Sequence, residues 1–212
     1  YLLSRGLLLS VKNKEFDLLE IVTNAVREMS EGELLQIKNN RKIYISEAEY
    51  YRLITKKTAS LIASCTARGA RSVTTDQHLI ESFRHFGEKV GIAFQIKDDL
   101  LDYERSGTIG KPAGNDIKEK KVTLPLIYAL NHAQNSEKRQ IKNIFGRSSK
   151  NGKEVNNIIE FVRKKQGLEY ARNKMQEIKN EALEILKGLS IHNRDSYEAL
   201  VELVQFTVER SK

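Results

Sequence analysis

Apolar residues return every three or four positions along most of this chain. That is the period of helices laid against a core; strands would alternate strictly. Residues 1–11 put leucines on most of one surface. Residues 15–37 carry Leu18, Ile21, Val22, Ala25, Val26 and Met29 as a helical stripe, and a polar basic turn, 38–42, follows. Ser46-Glu47-Ala48-Glu49 reads as a capping box, with Ser46 closing the N-terminus and Glu49 reaching back. The helix it opens is expected to run to about Gly69. Thr75 or Asp76 caps a long helix over roughly 76–104. Residues 105–121, with Gly107, Gly110, Pro112 and Gly114, read as a loop. A helix restarts near Thr123, with Pro125 tolerated in its first turn. Ser136 is expected to cap a short helix reaching Phe145, and 146–153 to connect it onward. Two amphipathic helices follow near 154–165 and 168–188, hinged at Gly167. Asn193 caps a last one ending near Arg210. No alternating segment, repeat or low-complexity tract stands out, so the pattern predicts an all-α fold, a bundle of long helices, built as a single domain over 1–212.

Composition narrows the picture only modestly. The 212 residues suffice for one good-sized core. Only two prolines leave long helices uninterrupted. The net charge of +8 favours anionic partners: nucleic acid, headgroups or phosphorylated small molecules. Cys65 is the only cysteine, which excludes an intrachain disulfide and a cysteine zinc site and fits a reducing, cytosolic setting. No run of ~18 apolar residues is present to span a bilayer.

The stretch that breaks the pattern is GIAFQIKDDLLDYERSGTIGKPAGNDIKEKKVTLP, 91–125. On a helix, Gln95, Asp98, Asp99 and Asp102 stand at i, i+3, i+4 and i+7 and share one face. The other faces carry Ile92, Phe94, Ile96, Leu100 and Leu101. Three carboxylates facing a cavity repel and raise one another's pKa values. Magnesium relieves this, because it takes one or two carboxylates and completes its shell with water and phosphate oxygens. A solvent-facing acidic stripe is the competing reading. The following segment favours a site: Gly110-Lys111, Asp116, Lys118, Lys120 and Lys121 bring backbone amides and point charges suited to an anion.

With these residues in hand, Gly91-x-x-Phe94-Gln95-x-x-Asp98-Asp99-x-x-Asp102, Gly110-Lys111, Asp116-Ile117 and Lys121 resemble the second aspartate-rich region of the trans-isoprenyl (polyprenyl) diphosphate synthases, and most nearly the long-chain bacterial type. Lys57-Thr58-Ala59-Ser60-Leu61-Ile62 resembles the family's Lys-Thr motif. Gly32-Glu33-Leu34-Leu35-Gln36 and the opening YLLSRG also match. The resemblance implies helices around a central cavity, a homodimer, and Mg²⁺-assisted ionisation of an allylic prenyl diphosphate, followed by attack of isopentenyl diphosphate and loss of a proton. The product would be membrane-seeking, although the enzyme has no transmembrane segment and is cytoplasmic. By the same resemblance Asp98 is the metal ligand, supported by Asp99 and Asp102. Lys57, Lys111 and Lys121 hold the allylic diphosphate, and Thr58 and Gln95 line the reacting carbons. The helices at 15–37 and 47–69 form the dimer contact.

The family's first aspartate-rich motif does not occur in this sequence. The chain is therefore expected to be the C-terminal part of a synthase, with little activity alone. A non-catalytic regulatory or scaffold subunit is the alternative, although intact Gln95, Asp98, Asp99, Lys111 and Lys121 weigh against it. Nucleic-acid binding is disfavoured because no aromatic interleaving accompanies the lysines. His78, His85, His132 and His192 show no paired metal spacing, and Tyr50, Tyr51 and Tyr103 read as packing residues. Arg210 and Lys212 are placed to fold over the diphosphates.

Overall fold

A computed structural model describes residues 1–104, 113–189, 191 and 193–210. Its helices are α1 (Leu2–Lys12), α2 (Phe16–Asn39), α3 (Glu47–Ile54), α4 (Ser60–Arg71), α5 (Gln77–Glu104), α6 (Asn115–Lys118), α7 (Leu124–Asn131), α8 (Asn135–Gly146), α9 (Gly152–Lys164), α10 (Gly167–Lys187) and α11 (Arg194–Glu209). No strand occurs among the described residues, as the helical period predicted.

Local signals set several of the helix starts. Ser46 Oγ accepts the Glu49 N–H at 3.1 Å, while the Glu49 carboxylate accepts the Ser46 N–H at 2.9 Å. Asp76, rather than Thr75, caps α5 by accepting the His78 N–H at 2.9 Å. Asn193 does the same for α11 through the Ser196 N–H. Each cap satisfies an amide that has no partner inside its helix. Two starts differ from the expectation. Glu137 accepts the Gln134 N–H at 2.8 Å, so α8 begins ahead of Ser136, which lies inside its first turn. Asn151 and Glu154 form a reciprocal box at 2.9 Å each, so α9 starts within the presumed connection. The hinge before α10 is made by Gln166, which takes the left-handed φ of 59°. Gly167 serves a close approach instead: a Cβ there would stand 2.3 Å from the Pro125 carbonyl oxygen.

The central element is α5, which packs against α3, α4, α7, α10 and α11. Its inward side buries Phe86, Ile96, Leu100 and Tyr103, and the surrounding helices add Ile117, Leu124, Leu126, Ile158 and Leu186. Burial of this kind is the main stabilising term, at roughly 25 cal/mol per Å² of apolar surface removed from water.

One feature departs from the predicted continuous helix over 47–69. Between α3 and α4, Thr55–Ala59 form a π-helical turn. Such turns insert one residue and re-aim the side chains around it; this one carries Lys57 and Thr58. Two glycines clamp it. A Cβ on Gly32 of α2 would stand 2.6 Å from the Lys57 amide nitrogen, and one on Gly91 of α5 would stand 2.5 Å from Ala59 Cα. Both obstacles are backbone and cannot rotate away.

Glycine-to-alanine changes should therefore split by position. In α4, a Cβ at Gly69 meets nothing within 4 Å, and Gly69→Ala should gain up to about 1 kcal/mol of helix propensity. The same gain at Gly91 is outweighed by a clash with Ala59, for which overpacking costs about 1–3 kcal/mol. Urea unfolding of the two variants checks this; equal shifts in the same direction would refute the clamp.

Candidate active site

The period of α5 does bring Gln95, Asp98, Asp99 and Asp102 to related positions, but the three carboxylates end in three different places. Asp98 is 41% exposed and forms an ion pair with Arg210, at the end of α11. Asp99 is buried; its Oδ1 accepts the Gln95 Nε2 amide at 2.9 Å and its Oδ2 accepts the Tyr50 hydroxyl at 2.8 Å. Asp102 is also buried, and its two oxygens accept the N–H groups of Asn115 and Asp116, each at 3.1 Å. Among the described residues no three His, Cys, Asp or Glu side chains converge as a metal cage.

The π turn supplies the facing wall. Thr58 Oγ1 donates to Gln95 Oε1 at 2.8 Å, which links α5 to the turn. A polar line thus runs from Thr58 to Gln95 to Asp99, and Tyr50 of α3 closes it. Lys57 reaches the Glu33 carboxylate at 3.1 Å. From the other side, Lys121 reaches Asp116 at 3.3 Å and Glu119 at 2.7 Å. Lys57, Thr58, Gln95, Asp99, Asp116 and Lys121 line one cleft of about 70 Å³. A cleft of that size holds only a few waters. Of the residues singled out from sequence, Lys57, Thr58, Gln95, Asp99 and Lys121 meet here. Asp98 and Asp102 are not part of its lining, and Lys111 lies outside the described residues. Lys120 turns away, and its ammonium donates to the Gly146 carbonyl at 2.9 Å.

Electrostatics separates the carboxylates further. Burial, then the charge of Asp116, pushes the Asp99 pKa up to about 7, although the Gln95 and Tyr50 hydrogen bonds oppose the rise. Burial and the neighbouring Asp99 charge hold the Tyr50 hydroxyl well above the ordinary tyrosine value. Tyr50 therefore stays protonated and remains a donor. For Lys121, burial disfavours the charge, yet Glu119 and Asp116 together raise its pKa above that of a free lysine. It enters any anion-binding event as a cation.

The Asp99 shift has a sign that can be tested. Its folded pKa lies above the unfolded value, so between about pH 4 and pH 7 the native state holds more protons than the unfolded one. Its contribution to stability is therefore greatest at the acid end, falls as pH rises through that window, and stays lost above it. Asp99→Asn should flatten that slope. Urea midpoints at pH 5 and pH 8 in chelator, compared between wild type and the variant, measure it; parallel pH profiles would contradict the assignment.

For Tyr50, which packs in the core as expected, and for Arg210 the fold adds partners far away in the chain. Tyr50 reads as a packing residue because nothing within its own helix marks the hydroxyl; its partner is 49 positions away. The Arg210 guanidinium lies on Asp98, 4.0 Å from the centroid of the Phe94 ring.

These positions can be set beside known proteins. Over 209 residues the chain is 31% identical to a geranylgeranyl diphosphate synthase of Sulfolobus acidocaldarius, covering 98% of this chain and 62% of that one. It is 32% identical over 197 residues to the octaprenyl diphosphate synthase of Escherichia coli, covering 92% of this chain and 59% of that one. The chain thus spans about three fifths of the length of these curated relatives. Among solved structures, a geranylgeranyl pyrophosphate synthase from Bacteroides thetaiotaomicron superposes with a TM-score of 0.89 at 35% identity, over 99% of this chain and 69% of that one. A decaprenyl diphosphate synthase from Rhodobacter capsulatus gives 0.90 at 28% identity, over 99% and 64%. The family model described as polyprenyl synthetase matches residues 1–162, which take in the π turn, all of α5 and the segment through Lys121. On that match, together with the fold, this chain belongs to the polyprenyl synthetase family.

Proposed function

We propose that this chain provides the diphosphate-holding wall of a trans-prenyl diphosphate synthase, which elongates an allylic prenyl diphosphate with isopentenyl diphosphate. The observation that carries this reading is the single cleft in which Lys57 and Lys121 flank the Thr58–Gln95–Asp99 line. Two tethered ammonium groups bracket a polar, partly dry surface. An incoming diphosphate would replace Glu33 on Lys57, and Asp116 and Glu119 on Lys121, as the counter-ion.

The donor set bears on which metal fits. A cage of three carboxylates is not available, because Asp102 is committed to two backbone amides and Asp99 is buried under two donors. Asp98 is an exposed carboxylate with a cation already beside it. Magnesium, which keeps waters and phosphate oxygens around one or two carboxylates, fits Asp98. When bound, the ion would neutralise charge on the departing diphosphate and so assist ionisation. Asp99 and Asp102 then support the site indirectly, one by fixing Gln95 and the other by fixing the segment that carries Asp116 and Lys121.

The remaining steps follow from the chain's own groups. Lys57 and Lys121 stabilise the leaving diphosphate more strongly as its charge grows, which is where electrostatic catalysis acts. The Thr58 and Gln95 oxygens turn negative dipoles toward the allylic cation. The isopentenyl double bond attacks that cation, a carbon–carbon bond forms, and a proton is lost. We further infer a homodimer and a reducing, cytosolic setting. Exposed Leu34 and Ile37 on α2 and Leu61 on α4 support an apolar contact surface, and the single Cys65 fits the compartment. No helix of the described residues is long and apolar enough to cross a membrane.

The test is calorimetry of a fifteen-carbon allylic diphosphate binding to the 212-residue chain in magnesium. Lys57→Ala and Lys121→Ala should each weaken binding about 10- to 100-fold, the range expected for losing one charge-assisted contact to phosphate. The corresponding prenyl alcohol should bind far more weakly. Equal affinity for alcohol and diphosphate, or indifference to both lysines, would overturn the reading.

A further inference from the structure

We propose that Arg210 is a resident counter-ion of Asp98 that a divalent cation has to displace, which couples metal occupancy to the end of α11. This rests on the reading of Asp98 as a metal ligand given above.

Four observations carry it. Arg210 follows directly on α11, and its N–H still closes the last turn on the Phe206 carbonyl at 3.1 Å. Its side chain, only 17% exposed, leaves the helix end and pairs through Nη2 with Asp98 Oδ1. The guanidinium is seated over the Phe94 ring, one helical turn before Asp98 on α5, at 4.0 Å. Its Nε, by contrast, is buried with no hydrogen-bond partner among the described residues. A buried donor without an acceptor is a cost, so this seat is held by the ion pair, the ring and one long hydrogen bond from Nη2 to the Phe94 carbonyl at 3.5 Å rather than by a saturated network. That is how a displaceable cation is expected to sit.

Competition follows from geometry and charge. The guanidinium is in contact with Asp98 Oδ1, where a metal ion with its water shell would have to stand. Both partners are cations, so each also repels the other electrostatically. Apart from the pair, α11 buries Val204, Thr207 and Val208. Metal binding then includes the work of breaking the pair, and its affinity is reduced by the fraction of molecules in the paired state.

The experiment uses the 212-residue chain with Mn²⁺ as the probe, its affinity read by electron paramagnetic resonance. Arg210→Gln should bind Mn²⁺ about 2- to 5-fold more tightly than wild type, the scale set by a partly exposed ion pair. Asp98→Asn should bind it more weakly than wild type. In parallel, the Arg210 Nε–H nuclear magnetic resonance signal, assigned by its loss in Arg210→Gln, should shift on saturation with Mg²⁺. It should sit at the shifted position without metal in Asp98→Asn. Unchanged Mn²⁺ affinity in Arg210→Gln, or an Nε–H signal that Mg²⁺ leaves unmoved, overturns the proposal while leaving Asp98 as a metal ligand. Failure of the wild-type chain to bind Mn²⁺ at all overturns the ligand reading, and this proposal falls with it.

Discussion

Replacing Asp102 by alanine is expected to lower the stability of the protein by about 3 kcal/mol, seen as a lower urea midpoint. The size comes from what the carboxylate holds. Its two oxygens accept the amides of Asn115 and Asp116 at 3.1 Å; the backbone carbonyl of Asp102, which the substitution leaves in place, accepts the Gly114 amide at 2.9 Å. Gly114 is in the left-handed region at φ 77°, which aims the next two amides back at α5. Hydrogen bonds to a charged acceptor are worth about 1.5–3 kcal/mol each, and exposing part of the site to water recovers some of that. The change also frees the segment that puts Ile117 into the core and Lys121 into the cleft, so diphosphate binding should weaken with stability. Asp102→Asn keeps one acceptor oxygen and should lose roughly half as much stability. An alanine variant within about 0.5 kcal/mol of wild type, the ordinary scatter for surface changes, would remove Asp102 from this structural role.

The opposite signature is expected at Asp98. Asp98→Ala should change stability by less than about 1 kcal/mol, because the carboxylate is 41% exposed and its pair with Arg210 is screened by water. Yet it should weaken magnesium-dependent binding of a prenyl diphosphate about 100-fold, which is about 3 kcal/mol at 1.4 kcal/mol per tenfold. The two aspartates lie one helical turn apart on the same helix. What separates them is the partner each oxygen meets: backbone amides for Asp102, the Arg210 guanidinium for Asp98. Calorimetry with and without chelator, beside urea unfolding, distinguishes the roles. Similar stability losses in both variants, or magnesium-dependent binding that survives Asp98→Ala, would contradict the assignment.

The same contrast shows how much was legible before the fold was known. Helix starts at Ser46, Asp76 and Asn193 follow from hydrogen bonds spanning two or three residues, so a short window of sequence contains the whole cause. The starts of α8 and α9 were misplaced for a related reason. Both Gln134/Glu137 and Asn151/Glu154 offer adequate local caps, and the choice among neighbouring candidates depends on which apolar face must meet the core. The candidate site was partly legible as well: helical spacing singled out Gln95 and Asp99, residue type Lys121, and only the resemblance to the family's motifs Lys57 and Thr58; the five line one cleft.

The sequence by itself determined the all-helical class, the long α5 and the face on which Gln95, Asp98, Asp99 and Asp102 stand. All of these are consequences of a 3.6-residue period and of caps satisfied within one turn. Tertiary structure alone decided where each carboxylate ends. Apart from Gln95, four positions before Asp99, the donors that capture Asp99, Asp102 and Asp98 come from 49, 13 to 14 and 112 positions away. Only the packed bundle also placed the π turn between Gly32 and Gly91, where two helix backbones approach too closely for a side chain. The helical period fixes the direction of a Cβ, whereas a carboxylate settles on whichever donors the fold brings within reach. For that reason a row of aspartates that looks uniform in sequence divides here into a buried acid, a structural cap and a partly exposed carboxylate paired with Arg210.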